Sequence, residues 1–153
     1  MNVRIREATL ADVGELIELL YELFSIESDF TFDKAKQYQG LQLMLQDGKN
    51  KRVWVAETDN RRVVGMCTLQ VLISTAEGGE VGLVEDVVVK NQFRCMGIGR
   101  LLLKEMEAWA SEAKLLRLQL LTDKTNLPAI QFYKKMNWQP TLLICMRKGN
   151  KAI

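Results

Sequence analysis

Gly97 and Gly99 stand two residues apart, just ahead of an abrupt leucine run, in NQFRCMGIGRLLL (residues 91–103). Glycine has no Cβ, so the backbone there can approach a ligand closely. The first turn of a helix presents amide N–H groups without intrahelical partners, which suits an anion. A phosphate is the guest this arrangement expects. The same glycines would also serve a tight strand-to-helix turn with no guest.

What chemistry could accompany a phosphate is narrowed by composition. The 153 residues contain no histidine, which removes Ser–His and Cys–His dyads and His-ligated zinc. A general base at neutral pH must then be a carboxylate or a water relayed by one. Cys67, Cys95 and Cys145 form an odd set without metal-ligand spacing. They read as free thiols of a reducing compartment, so a cytoplasmic protein without a metal is expected. A formal charge of +2 suggests neither nucleic acid nor an anionic membrane as partner. No apolar run approaches the ~20 residues of a membrane span, and MNVRIREATL does not read as a signal peptide.

These residues must be positioned by elements that periodicity outlines, and the length suits one domain spanning 1–153. Val3 and Ile5 alternate with Arg4 and Arg6, as in a short strand. Thr9 and Asp12 look like a helix start, followed by Val13, Leu16, Ile17, Leu20, Leu23 and Phe24 at helical spacing. DKAKQYQGLQLMLQ predicts a second helix ending near Asp47–Gly48. RVWVAE (52–57) and RVVGMCTLQVL (62–72) read as a hairpin turning at Thr58-Asp59-Asn60-Arg61. STAEGGE (74–80) reads as a loop, and GLVEDVVVK (82–90), rich in β-branched residues, as a central strand.

Beyond the glycines, Ile98, Leu102, Met106, Trp109 and Ala113 fall on one helical face. LLRLQLLT (115–122) alternates as a strand. Asn126 can cap a helix that tolerates Pro128 in its first turn and carries Ala129, Phe132, Tyr133 and Met136 on one stripe. Asn137 is a fair left-handed terminator, and TLLICMR (141–147) predicts a closing strand. The order β-α-α-β-β-β-α-β-α-β implies a mixed α/β (α+β) fold, with a central sheet flanked by helices.

Two nucleotide motifs do not fit the glycines. A dinucleotide fold wants G-x-G-x-x-G near the chain start, and here the third glycine is missing and the strand comes late. A P-loop wants Lys and Ser/Thr after its last glycine, where this chain has Arg100-Leu101. Arg94-Cys95-Met96-Gly97-Ile98-Gly99 does fit R/Q-x-x-G-x-G/A, between a β-rich strand and an amphipathic helix. It resembles the pyrophosphate-binding segment of the GNAT superfamily, the acetyl-CoA-dependent N-acetyltransferases. NLPAIQFYKKMNW, with Asn126, Ala129 and Tyr133, is similar to that family's N-x-x-A-x-x-x-Y-x-x-x-G-F segment. The element order agrees from about residue 3 to residue 148. Two departures stand out: Cys95 replaces a common glycine, and Asn137-Trp138 replaces Gly-Phe.

The resemblance implies the GNAT-type N-acyltransferase fold and acetyl-CoA as co-substrate. Arg94, Cys95, Met96, Gly97, Ile98, Gly99 and Arg100 would hold its pyrophosphate, mainly through backbone amides. Val87 and Val89 would pair with the pantetheine arm, which Asn126 and Phe132 would flank. Amides around Val87 and Val88 would polarise the acetyl carbonyl. Tyr133 matches the family tyrosine near the sulfur and would act as general acid, a role its motif position favours over simple packing with Phe132 and Met136. For the base, strand alternation sends Glu85 and Asp86 to opposite faces. Sharing parity with Val87 and Val89 favours Glu85 through a water; ion pairing is the alternative use for both acids.

In this family the acceptor binds largely around the first two helices and the loop before the central strand. That points here to Phe24, Glu27, Asp29 and Phe30, with 74–80 nearby. SIESDFTFD is acidic and aromatic and would suit a cationic amine or amino-sugar, unless it is only a solvated interhelical loop. The expected reaction is direct acetyl transfer to a primary amine of a small molecule in a ternary complex. Acetylation of a protein amino group, or a non-catalytic coenzyme-binding module, are the alternatives. A homodimer touching through the terminal strand is compatible with the family.

Overall fold

Strands too apolar to be half exposed need cover on both faces, and the hairpin strands are of that kind. The computed structural model describes residues 2–46 and 48–149, in two units, Met1–Leu120 and Leu121–Ile153. The first unit carries a five-stranded sheet in the order β1 (Val3–Glu7), β2 (Lys51–Thr58), β3 (Val63–Ser74), β4 (Gly79–Val89), β5 (Leu118–Leu120). Neighbours are antiparallel from β1 to β4, and β5 runs parallel to β4. A parallel pair needs a crossover, supplied by helix α3 (Ile98–Glu112).

Helices α1 (Val13–Ile26) and α2 (Lys34–Gln46) cover one face of the sheet. Leu16, Ile17, Leu19, Leu20 and Leu41 cluster there with Val53, Val55, Val63, Met66 and Val88. Trp54, between Val53 and Val55 in β2, goes the other way and meets Trp109 of α3 with ring centroids 5.7 Å apart. Leu102, Leu103 and Met106 are fully buried along α3. Both faces of β2 and β3 are therefore covered, which is why VWVA and VVGMCTL are buried residue after residue.

Local signals account for the element ends. The hairpin forms at Thr58–Arg62, where Arg61 takes φ 58° and its N–H donates to Thr58 O at 2.8 Å. β3 and β4 run further than their apolar cores suggested, leaving a turn at 75–78 closed by Gly78 at φ 73°. Thr9 and Asp12 do mark a helix start: a 3₁₀ turn, Leu10–Asp12, leads into α1, and Asp12 Oδ2 accepts the Thr9 N–H at 2.7 Å. Asp33 caps α2, its Oδ1 accepting the N–H groups of Ala35 and Lys36 at 3.1 and 3.2 Å. The end expected for α2 at Asp47 lies outside the described residues.

In the second unit, Asn126 caps α4 (Leu127–Lys135), its Oδ1 accepting the Ala129 N–H at 3.2 Å. Asn137 ends the helix at φ 66°, and the Trp138 N–H returns to Tyr133 O at 3.0 Å. The expected closing strand at 141–147 is not formed: residues 143–149 carry no regular structure. A strand exists only through hydrogen bonds to a neighbour, and an apolar run alone does not supply one. Leu142, Leu143, Ile144 and Met146 are exposed accordingly.

Candidate functional site

Three features of the first unit converge at the end of β4. The first is an open edge. β5 pairs with β4 only from Gly82↔Leu118 to Val84↔Leu120, so the backbone from Glu85 to Val89 is left unpaired by β5. Val87 and Val89 lie in this stretch, where an extended ligand could add hydrogen bonds as a strand would.

The second is a β-bulge. The β3–β4 register steps from Thr68↔Glu85 to Met66↔Val88, so Asp86 and Val87 together oppose Cys67. Asp86 takes φ 51°, a left-handed conformation rare outside glycine. The bulge breaks the strict alternation on which the preference for Glu85 rests. Glu85 faces solvent, whereas Asp86 is half-buried and its Oδ2 accepts from the Thr68 hydroxyl at 3.3 Å. Burial raises the Asp86 carboxyl to about 6, helped by the charges of Glu85 and Glu27 and opposed by the Thr68 hydrogen bond. A carboxylate near that value is half-deprotonated close to neutrality, as a general base should be. Cys67, opposite the bulge, is fully buried, and burial pushes its thiol up to about 12, leaving it inert.

The third is the glycine loop. After a 3₁₀ turn at Asn91–Phe93, Cys95 takes φ 61° and Gly97 φ 82°, and α3 begins at Ile98. Successive left-handed and helical residues turn their N–H groups toward one side, and the first-turn amides of Ile98, Gly99 and Arg100 follow without intrahelical carbonyls to meet. An ideal Cβ at Gly97 would touch nothing within 4 Å, so that glycine is needed for its conformation rather than for space. The loop thus fits an anion such as a pyrophosphate. Cys95 stands strained where glycine would be at ease. Exchanging it for Gly should raise stability by up to about 1 kcal/mol, the relieved strain being partly offset by a looser unfolded chain. Cys95→Val should cost about 1–2 kcal/mol, because a β-branched residue fits that region worst. Urea unfolding of both variants checks the ranking.

The acceptor candidates are only partly assembled. Phe24 and Phe30 stack with centroids 5.3 Å apart, and Glu27, the residue after α1, is near enough to Asp86 for its charge to raise that carboxyl. Asp29 is exposed. Asp33, which shared the acidic stretch, is committed to capping α2. In the second unit, Tyr133 is half-buried, its ring 5.3 Å from Phe132 and 6.2 Å from Trp138, and Asn126 uses its side-chain oxygen as a cap. A separate open cleft of about 300 Å³ lies toward the start of β4, between Leu72, Gly82, Arg117 and Gln119. Its lining includes Ser74, Thr75 and Ala76 of the expected acceptor stretch 74–80, but none of Glu85, Asp86, Phe24, Glu27, Phe30 or the glycine loop.

Fold and loop define a class: a mixed α/β domain whose central strand opens beside a helix start rich in unpartnered amides. The acetyltransferase (GNAT) family model matches residues 17–138, and the chain belongs to that family. Among curated proteins none matches it by sequence. Solved structures do match by fold. Glucosamine-6-phosphate N-acetyltransferase from Arabidopsis thaliana superimposes with a TM-score of 0.79 at 16% identity, covering 98% of this chain and 100% of that one. A transcriptional regulator from Bacillus halodurans C-125 gives 0.82 at 22% identity, covering 97% and 100%. An acetyltransferase from Trypanosoma brucei gives 0.74 at 22% identity, with the same coverage. Among the described residues no helix is long and apolar enough to cross a membrane.

Proposed function

We propose that this chain transfers an acetyl group from acetyl-CoA to a primary amine of a small cationic molecule, by direct attack in a ternary complex. What carries the reading is the conjunction at the end of β4: an unpaired edge, a bulge holding a half-buried carboxylate and an amide-rich loop. The acetyl group arrives as the thioester of the coenzyme. Amides of the loop from Cys95 to Arg100 bind the pyrophosphate, and the backbone of Val87 and Val89 aligns the pantetheine arm. The N–H groups near Val87 and Val88 polarise the carbonyl. Asp86, rather than Glu85, takes a proton from the bound ammonium, directly or through a water, and so frees the amine lone pair that attacks the carbonyl. Tyr133 donates a proton to the departing sulfur, a role supported by its place in the family motif.

The acceptor is a cation because of what surrounds Asp86. Glu85 and Glu27 add negative charge there, and the Phe24–Phe30 stack offers a ring face to an ammonium. That setting favours an amine or diamine over a sugar phosphate, whose anion it would repel. The exposed run Leu142–Met146 supports a homodimer as the assembly.

The reading is tested by thermal unfolding with acetyl-CoA and with NAD, then by thiol release in an amine screen. Acetyl-CoA at a hundredfold its Kd should stabilise by about 2.7 kcal/mol, and NAD should not. Diamines should outrun glucosamine 6-phosphate and lysine peptides. Tyr133→Phe should lower kcat by roughly 10²-fold or more and leave acetyl-CoA binding intact. No shift with acetyl-CoA overturns the coenzyme assignment, and faster turnover of a lysine peptide moves the acceptor to protein.

A further inference from the structure

Glu15, Glu18 and Glu22 recur at i, i+3 and i+7 and so lie along one stripe of α1. A charged stripe on a helix usually faces solvent, but this one is engaged along its length. Glu15 Oε1 accepts the Val63 N–H at 3.0 Å where β3 begins. Glu18 Oε2 receives the Lys90 ammonium at 2.9 Å just past β4. Glu22 Oε2 accepts the Asn91 N–H at 3.0 Å and lies 3.7 Å from Arg94 Nη2. Arg94 is tied back as well, its Nε donating to Val89 O at 2.9 Å. The segment from Lys90 to Arg94, which sets where the glycine loop starts, is thus held from α1 at three points.

We infer that Glu22 is a positioning residue for the coenzyme loop. It fixes the Asn91 amide and the Arg94 guanidinium so that the amides from Cys95 to Arg100 meet the pyrophosphate already arranged. Arg94 serves that site by shaping the loop; its guanidinium is turned to Val89 and Glu22. The inference rests on the proposed use of acetyl-CoA. Its logic is preorganisation: an ordered loop binds without the cost of being ordered by the ligand.

The test compares wild type, Glu22→Ala and Glu22→Gln with two acetyl donors: acetyl-CoA, and S-acetylpantetheine, which lacks the pyrophosphate. Calorimetry gives acetyl-CoA affinity, and initial rates give KM and kcat for both donors. Glu22→Ala should weaken acetyl-CoA about tenfold, the worth of one charge-assisted hydrogen bond, with kcat at saturation unchanged. Glu22→Gln keeps an oxygen for the Asn91 N–H but not the charge facing Arg94, and should recover part of the loss. KM for S-acetylpantetheine should be the same in all three. An acetyl-CoA affinity unmoved in Glu22→Ala, or equal losses with both donors, overturns the positioning role. If Glu22→Ala does not fold, Glu22→Gln decides alone: a small deficit confined to acetyl-CoA supports the role, and a deficit shared by both donors overturns it. Wild type that binds no acetyl-CoA overturns the proposed function itself, a result distinct from wild type that binds and a variant that binds equally well.

Discussion

Asp86→Asn should raise stability at pH 7 while cutting turnover by roughly 10²–10⁴-fold, the usual worth of a general base. Both effects come from one carboxyl. Its folded value of about 6, raised chiefly by burial, lies above the ordinary 3.8. The folded state therefore holds the proton more tightly than the unfolded chain. The favourable contribution is complete below about pH 4 and is lost as pH rises through about 6. At pH 7 the native state carries a buried negative charge that Asn would remove. At 1.36 kcal/mol per pKa unit the gap to 3.8 sets a ceiling near 3 kcal/mol. Solvent reaching a half-buried group brings the expected gain to about 1–2 kcal/mol.

Asn also accepts the φ of 51° more readily than other non-glycine residues, so the bulge should persist. In wild type, kcat/KM should climb with pH and level off above about 6, and Asp86→Asn should lack that limb. Urea unfolding at pH 7 and pH 4 should show the gain only at the higher pH. Exposed Glu85, changed to Gln, should alter kcat by only a few-fold. If Glu85→Gln abolishes the rate and Asp86→Asn does not, the base is Glu85 and the bulge is only structural.

The same position shows where reading a sequence stops. Strand alternation assigned Asp86 and Glu85 to faces, and alternation holds only while pairing is regular. This bulge puts one residue at positive φ, and Asp gives no warning of it as Gly would. Where local chemistry is specific, the sequence was legible: Gly97 at φ 82°, the Asn126 cap and the left-handed Asn137 all stand where their residue types point. Periodicity likewise outlined the helices and the hairpin. The run at 141–147 was misleading because a strand is a property of a pair, and its own residues cannot name the partner. The grip of Glu18 and Glu22 on the loop was hidden for a related reason. Their i, i+3, i+7 spacing was visible, but nothing local says that Lys90, Asn91 and Arg94 lie against it.

Arg6→Leu should be the most damaging single change to stability outside the apolar core. The Arg6 guanidinium holds Asp12 bidentately, both bonds at 2.9 Å, and reaches Glu57 through Nε at 2.8 Å. These residues join β1, β2 and the turn that starts α1. The Asp12 side chain is only 8% exposed and Arg6 24%, so neither is freely solvated. Arg6 holds both carboxyls below their ordinary values, chiefly through these hydrogen bonds. Removing it strands Asp12 as a buried anion, at a cost of about 2–4 kcal/mol. The sign with pH is opposite to that of Asp86. Stability from a depressed carboxyl is present above its unfolded value and is lost as pH falls through the folded one. The deficit of Arg6→Leu should therefore be largest at pH 7 and shrink toward pH 3, where the stranded carboxyls take up protons. Asp12→Asn, which keeps a hydrogen-bonding oxygen, should cost less at pH 7. A deficit of equal size at pH 7 and pH 3, measured by urea unfolding, would mean that Arg6 acts through its packed methylenes and not through charge. The α1 stripe that reaches the glycine loop begins three residues after Asp12, so this pairing also sets where that stripe starts.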